Sequence, residues 1–135
     1  MAARAVQAER IDGMPPRILQ TIPILRIFSV AKANEFYVDY LGFHVDWEHR
    51  FDLNAPLYMQ VSLENLVLHL SEHYGDACPG ATVFIRLRGL ADYHRQLHAK
   101  NYAYLRPGLG PSEHGSLCME VVDPFGNRLR FDEKL

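Results

Sequence analysis

Three arginines stand alone in apolar or alternating runs of this 135-residue chain: Arg26 within 22–30, Arg86 within 83–87, and Arg130 between Leu129 and Phe131. A guanidinium stays charged in any environment and forks onto carboxylate or phosphate, so arginines turned into a cavity suit an anionic or polar ligand. The competing use is internal pairing with Asp46, Glu48 or Glu120 across neighbouring strands, and the two stay open. His69, inside Val67-Leu68-His69-Leu70, has the chemistry of a ligand or a general base near neutral pH. A satisfied core or cavity histidine is the favoured reading. His94 and His98 are spaced i, i+4, which zinc accepts. With no third ligand nearby in sequence, a solvated helix face is favoured. Glu72 and His73 form either a pair at a cavity mouth or, the favoured reading, a plain polar loop. Trp47, Tyr58, Phe84 and Tyr104 can supply a flat wall for a planar ligand. Core packing accounts for them as well.

Composition removes whole classes of function. A formal charge of −2 from 14 basic and 16 acidic side chains gives no electrostatic footprint for nucleic acid. No stretch approaches the ~20 apolar residues of a membrane helix. Arg4, Glu9, Arg10 and Asp12 interrupt the N-terminus, so no secretory signal is expected there, and a cytoplasmic protein is the implied reading. Cys78 and Cys118 lie in no C-x-x-C or His-bearing zinc spacing. They read as small structural residues in a reducing compartment. No G-x-S-x-G, P-loop or G-x-G-x-x-G occurs, and Gly108-Leu109-Gly110-Pro111 reads as a loop.

The elements that must position these side chains follow from periodicity. Residues 1–20 read as an arm, expected to be disordered, ending at Asp12-Gly13-Met14-Pro15-Pro16. A strand over 21–30 leads to Ser29 as an N-cap, then to a helix carrying Ala33, Phe36, Tyr37, Tyr40 and Leu41, closed by Gly42 at C′. Strands follow over 44–51, 57–63 and 66–70, the last two a hairpin around Glu64-Asn65. After the 74–80 loop the order repeats: a strand over 81–87, a helix from Leu90 to Lys100, a strand opened by 101–105, a loop over 106–114, and a hairpin of 116–122 with 128–132. Its turn is Asp123-Pro124-Phe125-Gly126-Asn127, in which Gly126 or Asn127 takes φ > 0. The chain thus reads as one α+β domain over 21–135. It holds two β-α-β-β-β modules, about 21–74 and 81–133, whose curved mixed sheets enclose a cavity.

This repeated unit resembles the vicinal oxygen chelate superfamily, which includes glyoxalase I, extradiol dioxygenases, fosfomycin-resistance enzymes and bleomycin-resistance proteins, the last being the nearest in kind. Ala33-Asn34-Glu35-Phe36-Tyr37 with Leu41-Gly42-Phe43, and Asp123-Pro124-Phe125-Gly126-Asn127, carry the likeness. The resemblance implies sheets curled around a cavity, often in a dimer, and in catalytic members one divalent metal on four side chains. Counted onto this chain, those positions fall on Ile22, His69, Thr82 and Arg130. One of the four is a metal donor, and Arg130 is a cation where a carboxylate would neutralise the ion.

The preferred reading is a metal-free protein of the bleomycin-resistance type, with no cofactor and no catalytic residue. It sequesters a drug or metabolite in a sheet-lined groove, as a homodimer with neither nucleic-acid nor membrane partners. Its ligand-binding residues are Arg26, Trp47, Tyr58, His69, Phe84, Arg86, Glu120 and Arg130. Bleomycin itself is cationic, and the arginines oppose it. The first alternative is a metal-dependent lyase or dioxygenase of the glyoxalase type, using His69 with Glu72, Glu120 or a second chain. The second is a protein-interaction module built on the N-terminal arm and curved sheet.

Overall fold

Alternation places the apolar face of the central strands against the helices, and the computed structural model, which describes residues 6–9 and 12–135, shows that pattern twice. The first module runs β1 (Ile24–Arg26), α1 (Val30–Ala33) with a π-helical continuation Asn34–Tyr40, β2 (His44–His49), β3 (Tyr58–Leu63) and β4 (Leu66–Ser71). The second runs β5 (Thr82–Arg86), α2 (Leu90–Ala99), β6 (Leu109–Pro111), β7 (Ser116–Val122) and β8 (Arg128–Lys134). The sheets share one topology, β1-β4-β3-β2 and β5-β8-β7-β6. In each, the outer pair β1·β4 or β5·β8 is parallel and the rest antiparallel. The expected α+β fold of two β-α-β-β-β modules is what the chain adopts, and the sheets are not closed into a barrel.

The first helix differs from its expected form. Ser29 caps it as its spacing foretold, accepting from Lys32 N. Beyond Ala33 the helix widens, with Leu41 N bonding to Phe36 O five residues back. Phe36, Tyr37, Tyr40 and Leu41 all face the core, as their spacing requires. Gly42 ends it at φ 88°, a conformation that costs a side chain with a Cβ.

The sixth strand is also displaced. Residues 101–105 do not form a strand. Pairing begins at Leu109 opposite Met119 and runs to Pro111 opposite Leu117, inside the stretch read as a loop. Tyr102 is spent elsewhere: its ring stacks on Tyr40 at 4.5 Å and its hydroxyl donates to Glu35 Oε1 at 3.3 Å. Proline closing a short edge strand loses no ladder bond, which is why its presence was a poor guide.

One buried cluster joins the modules, with Leu25, Phe36, Tyr37, Met59 and Leu70 from the first packed with Leu90, Leu97, Val121, Leu129 and Phe131 from the second. Polar ties cross the same seam: Asn127 Nδ2 donates to Arg26 O at 2.8 Å, and Lys100 Nζ donates to Asp39 O and Tyr40 O. Of the expected N-terminal arm, residues 1–5, 10 and 11 lie outside the described residues, while 12–20 carry no strand or helix and are exposed.

Candidate functional site

The helices cover one side of each sheet and leave the other open. Period 2 then decides which side chains reach that open face. On the first sheet the register aligns Ile24, His69, Gln60 and Trp47 across four strands, and beside them Arg26, Ser71, Tyr58 and His49. Three of the expected ligand-binding residues, Trp47, Tyr58 and His69, therefore meet. The Trp47 and Tyr58 rings stack at 5.9 Å and 11°, and Trp47 meets His69 edge-on at 5.3 Å.

A hydrogen-bonded chain underlies these rings, and its direction follows from its charged end. The Asp46 carboxylate can only accept, and it does so from Gln60 Nε2 at 3.0 Å and Ser62 Oγ at 2.9 Å, with the His44 ring at 3.1 Å. Gln60 must turn its Oε1 towards His69 Nε2 at 2.9 Å. His69 therefore carries its proton on Nε2, and Nδ1 accepts from the Tyr58 hydroxyl at 2.6 Å. Hydrogen bonds from Gln60, His44 and Ser62 hold Asp46 below the usual carboxylate range, while burial lowers the pKa of the His69 ring and raises that of the Tyr58 phenol. His69 is neutral and satisfied at both nitrogens, the favoured reading of its sequence context.

Arg26 does not pair with Asp46, Glu48 or Glu120. Its place opposite Ser71, at the end of β4, brings it to the Glu72 carbonyl, to which it donates, and lays it 4.7 Å from the centre of the Phe28 ring. Glu72 turns its own carboxylate to Leu57 N at 3.0 Å, with Arg50 at 3.9 Å, so it forms no pair with His73. A pocket of about 270 Å³ opens beside this row, lined by His49, Phe51, Tyr58, His73 and Asp76.

The second open face gathers the remaining expected residues. Phe84, Arg130 and Glu120 align across three strands, with Arg86, Asp132 and Cys118 in the next row. Glu120 stands 3.6 Å from Arg130 and 3.8 Å from Arg128, and Asp132 stands 3.6 Å from Arg86. A pocket of about 360 Å³ lies here, lined by Phe84, Arg86, Arg130 and Lys134 with His114, Ser116, Cys118 and Asp132. The four aromatics do not form one wall. Phe84 is on the second sheet, and Tyr104 sits in the loop after α2 beside Lys32 and Tyr102, because no strand carries it there. Sequence reasoning missed Gln60, Ser62 and Lys134, although alternation in β3 put Gln60 and Ser62 on the face of Tyr58.

A family model described as glyoxalase superfamily protein matches residues 14–135. The chain belongs to the glyoxalase superfamily. No curated protein matches it. Among solved structures it is similar to a bleomycin-binding protein complexed with bleomycin, at 24% identity and a TM-score of 0.65, covering 86% of this chain and 98% of that one. It is similar to a bleomycin resistance determinant encoded on transposon Tn5, at 24% identity and TM-score 0.66, covering 85% and 97%. A third neighbour is TnmS3, an antibiotic-binding protein from a Streptomyces species, at 16% identity and TM-score 0.64, covering 88% and 100%.

The superfamily's metal site does not fit the residues this member presents. Strand pairing puts Ile24, rather than Ile22, beside His69, and Phe84, rather than Thr82, beside Arg130. The two-residue offset keeps each side chain on the same face and supplies no new donor. Among the described residues no three His, Cys, Asp or Glu side chains converge as a metal would need. Nor is any described helix long and apolar enough to cross a membrane.

Proposed function

We propose that this glyoxalase-superfamily chain captures a small organic molecule on its open sheet faces and does not transform it. His69 carries this reading. It occupies the middle of the first face, yet Tyr58 and Gln60 take both ring nitrogens, so the face offers shape, stacking area and fixed polarity rather than a free base. Trp47 remains 42% exposed above it, and on the other sheet Phe84 is 54% exposed between Arg86 and Arg130. Solved neighbours named for binding bleomycin and an antibiotic support the same class of function.

The ligand this surface suits has a planar part and an anionic part. Arg86, Arg130 and Lys134 outnumber Asp132 around the second pocket, and a guanidinium favours carboxylate, sulfonate or phosphate. Each face is open and shallow within one chain, and large rings left half in water favour closure by a second copy in a cytoplasmic homodimer. Arg26, Trp47, Tyr58 and His69 would form one wall of the groove, and Phe84, Arg86, Glu120 and Arg130 the other.

Trp47 is the only tryptophan, so its fluorescence reports on the first face directly. Titration with 1-anilinonaphthalene-8-sulfonate, a planar aromatic anion, should quench it saturably, and bleomycin should do so weakly. Failure of both, together with a monomeric sedimentation profile, would refute the reading.

A further inference from the structure

His94 and His98 were expected on a solvated helix face. They are instead half-buried against the loop that follows α2. Their rings lie 4.1 Å apart, and their Nε2 atoms converge on a single acceptor, the Pro107 carbonyl, at 3.0 Å and 2.9 Å. The i, i+4 spacing stacks the two side chains on one side of the helix, and the buried Pro107 brings the backbone to meet them. A main-chain oxygen, invisible in the side-chain sequence, is what brings the two rings to one point.

We propose that His94 Nε2, His98 Nε2 and the Pro107 carbonyl oxygen form a site for a divalent transition ion of the kind imidazole prefers, zinc or copper. The separations are those of hydrogen bonds, and two donors each about 2.0–2.1 Å from one tetrahedral ion lie about 3.3 Å apart, so the site must open by a few tenths of an ångström to admit zinc. Binding turns each ring from its Nε2–H tautomer to the Nδ1–H tautomer, so that both Nε2 lone pairs face the ion and no net charge is lost from the protein. The neighbouring cations have other partners: Arg95 pairs with Asp92, and Arg106 donates to Asn101 Oδ1 at 3.2 Å. Three protein donors leave coordination positions open to water. The site lies on α2 and its following loop, apart from the open sheet faces, and it stands whether or not those faces bind a ligand.

The test uses the full chain without a polyhistidine tag. Calorimetric titration with zinc chloride should show one ion per chain, and H94Q and H98Q should each weaken it at least about tenfold. Glutamine keeps an N–H for the Pro107 carbonyl, so the metal-free melting temperatures should stay close to wild type. Zinc should raise the wild-type melting temperature and leave those of the variants unmoved. Should a variant fail to fold, substoichiometric copper on the wild type decides the matter, since its paramagnetism should broaden the NMR signals of the His94 and His98 rings first. No zinc binding, equal affinity in both variants, or broadening confined to His49 and His73 would overturn the proposal.

Discussion

The Tyr37 hydroxyl donates to Asp123 Oδ2 at 2.7 Å, joining the first module's helix to the second module's last turn across 86 residues. Asp123 is buried, and it also organises its own turn, accepting from Phe125 N, Asn127 N and Asn127 Nδ2. The seam and the turn therefore share one carboxylate, and the turn places β8 with Arg128 and Arg130.

Removing the hydroxyl tests that coupling. Y37F leaves the ring's packing in place and takes one bond from a buried charge, at a cost of about 1.5–3 kcal/mol. Urea denaturation should show the midpoint falling with an unchanged slope.

Acid should weaken the first sheet through His69. Burial lowers the pKa of the folded ring, so below the ordinary value of about 6.5 the unfolded chain takes a proton that the folded ring resists. Stability present above that value falls as the pH drops. Relative to wild type, H69Q should lose less in melting temperature between about pH 7.5 and pH 5.5.

Alkali should act at the seam through Tyr102. Burial first, then the Glu35 charge and hydrogen bond, push its phenol to about 12. The unfolded phenol ionises near 10, so between about 10 and 12 the folded state keeps a proton that the unfolded state has released, and stability falls as the pH rises. Y102F retains the stack on Tyr40 and should show a shallower decline over that interval in thermal melts.

Glu120 and Arg130 should have opposite effects on an anionic ligand. E120Q frees Arg128 and Arg130 from their carboxylate and should tighten 1-anilinonaphthalene-8-sulfonate, whereas R130A should weaken it, each by about two- to fivefold given the exposure of these pairs. Fluorescence titrations in low salt would measure both, and equal affinities would remove the second face from the site.

Several features are written in the sequence itself because their causes are local. Ser29 caps a helix, Gly42 ends it, Gly126 turns a hairpin at φ 91°, and alternation along 116–122 and 128–132 marks two strands, since each depends on residues within a few positions. The duplicated order of elements, and with it the resemblance to the superfamily, was legible for the same reason. Partnership was not. A strand slid by two residues keeps its alternation, so nothing in the sequence chose Ile24 over Ile22 beside His69, sent Arg26 to the Glu72 carbonyl, or brought Pro107 between two histidines. The widened turn after Ala33 and the strand at Leu109 were likewise set by what packs against them. Local conformational preference is written in neighbouring residues. The satisfaction of charged and polar groups is settled only where distant segments meet, and in this protein the tertiary structure made that decision.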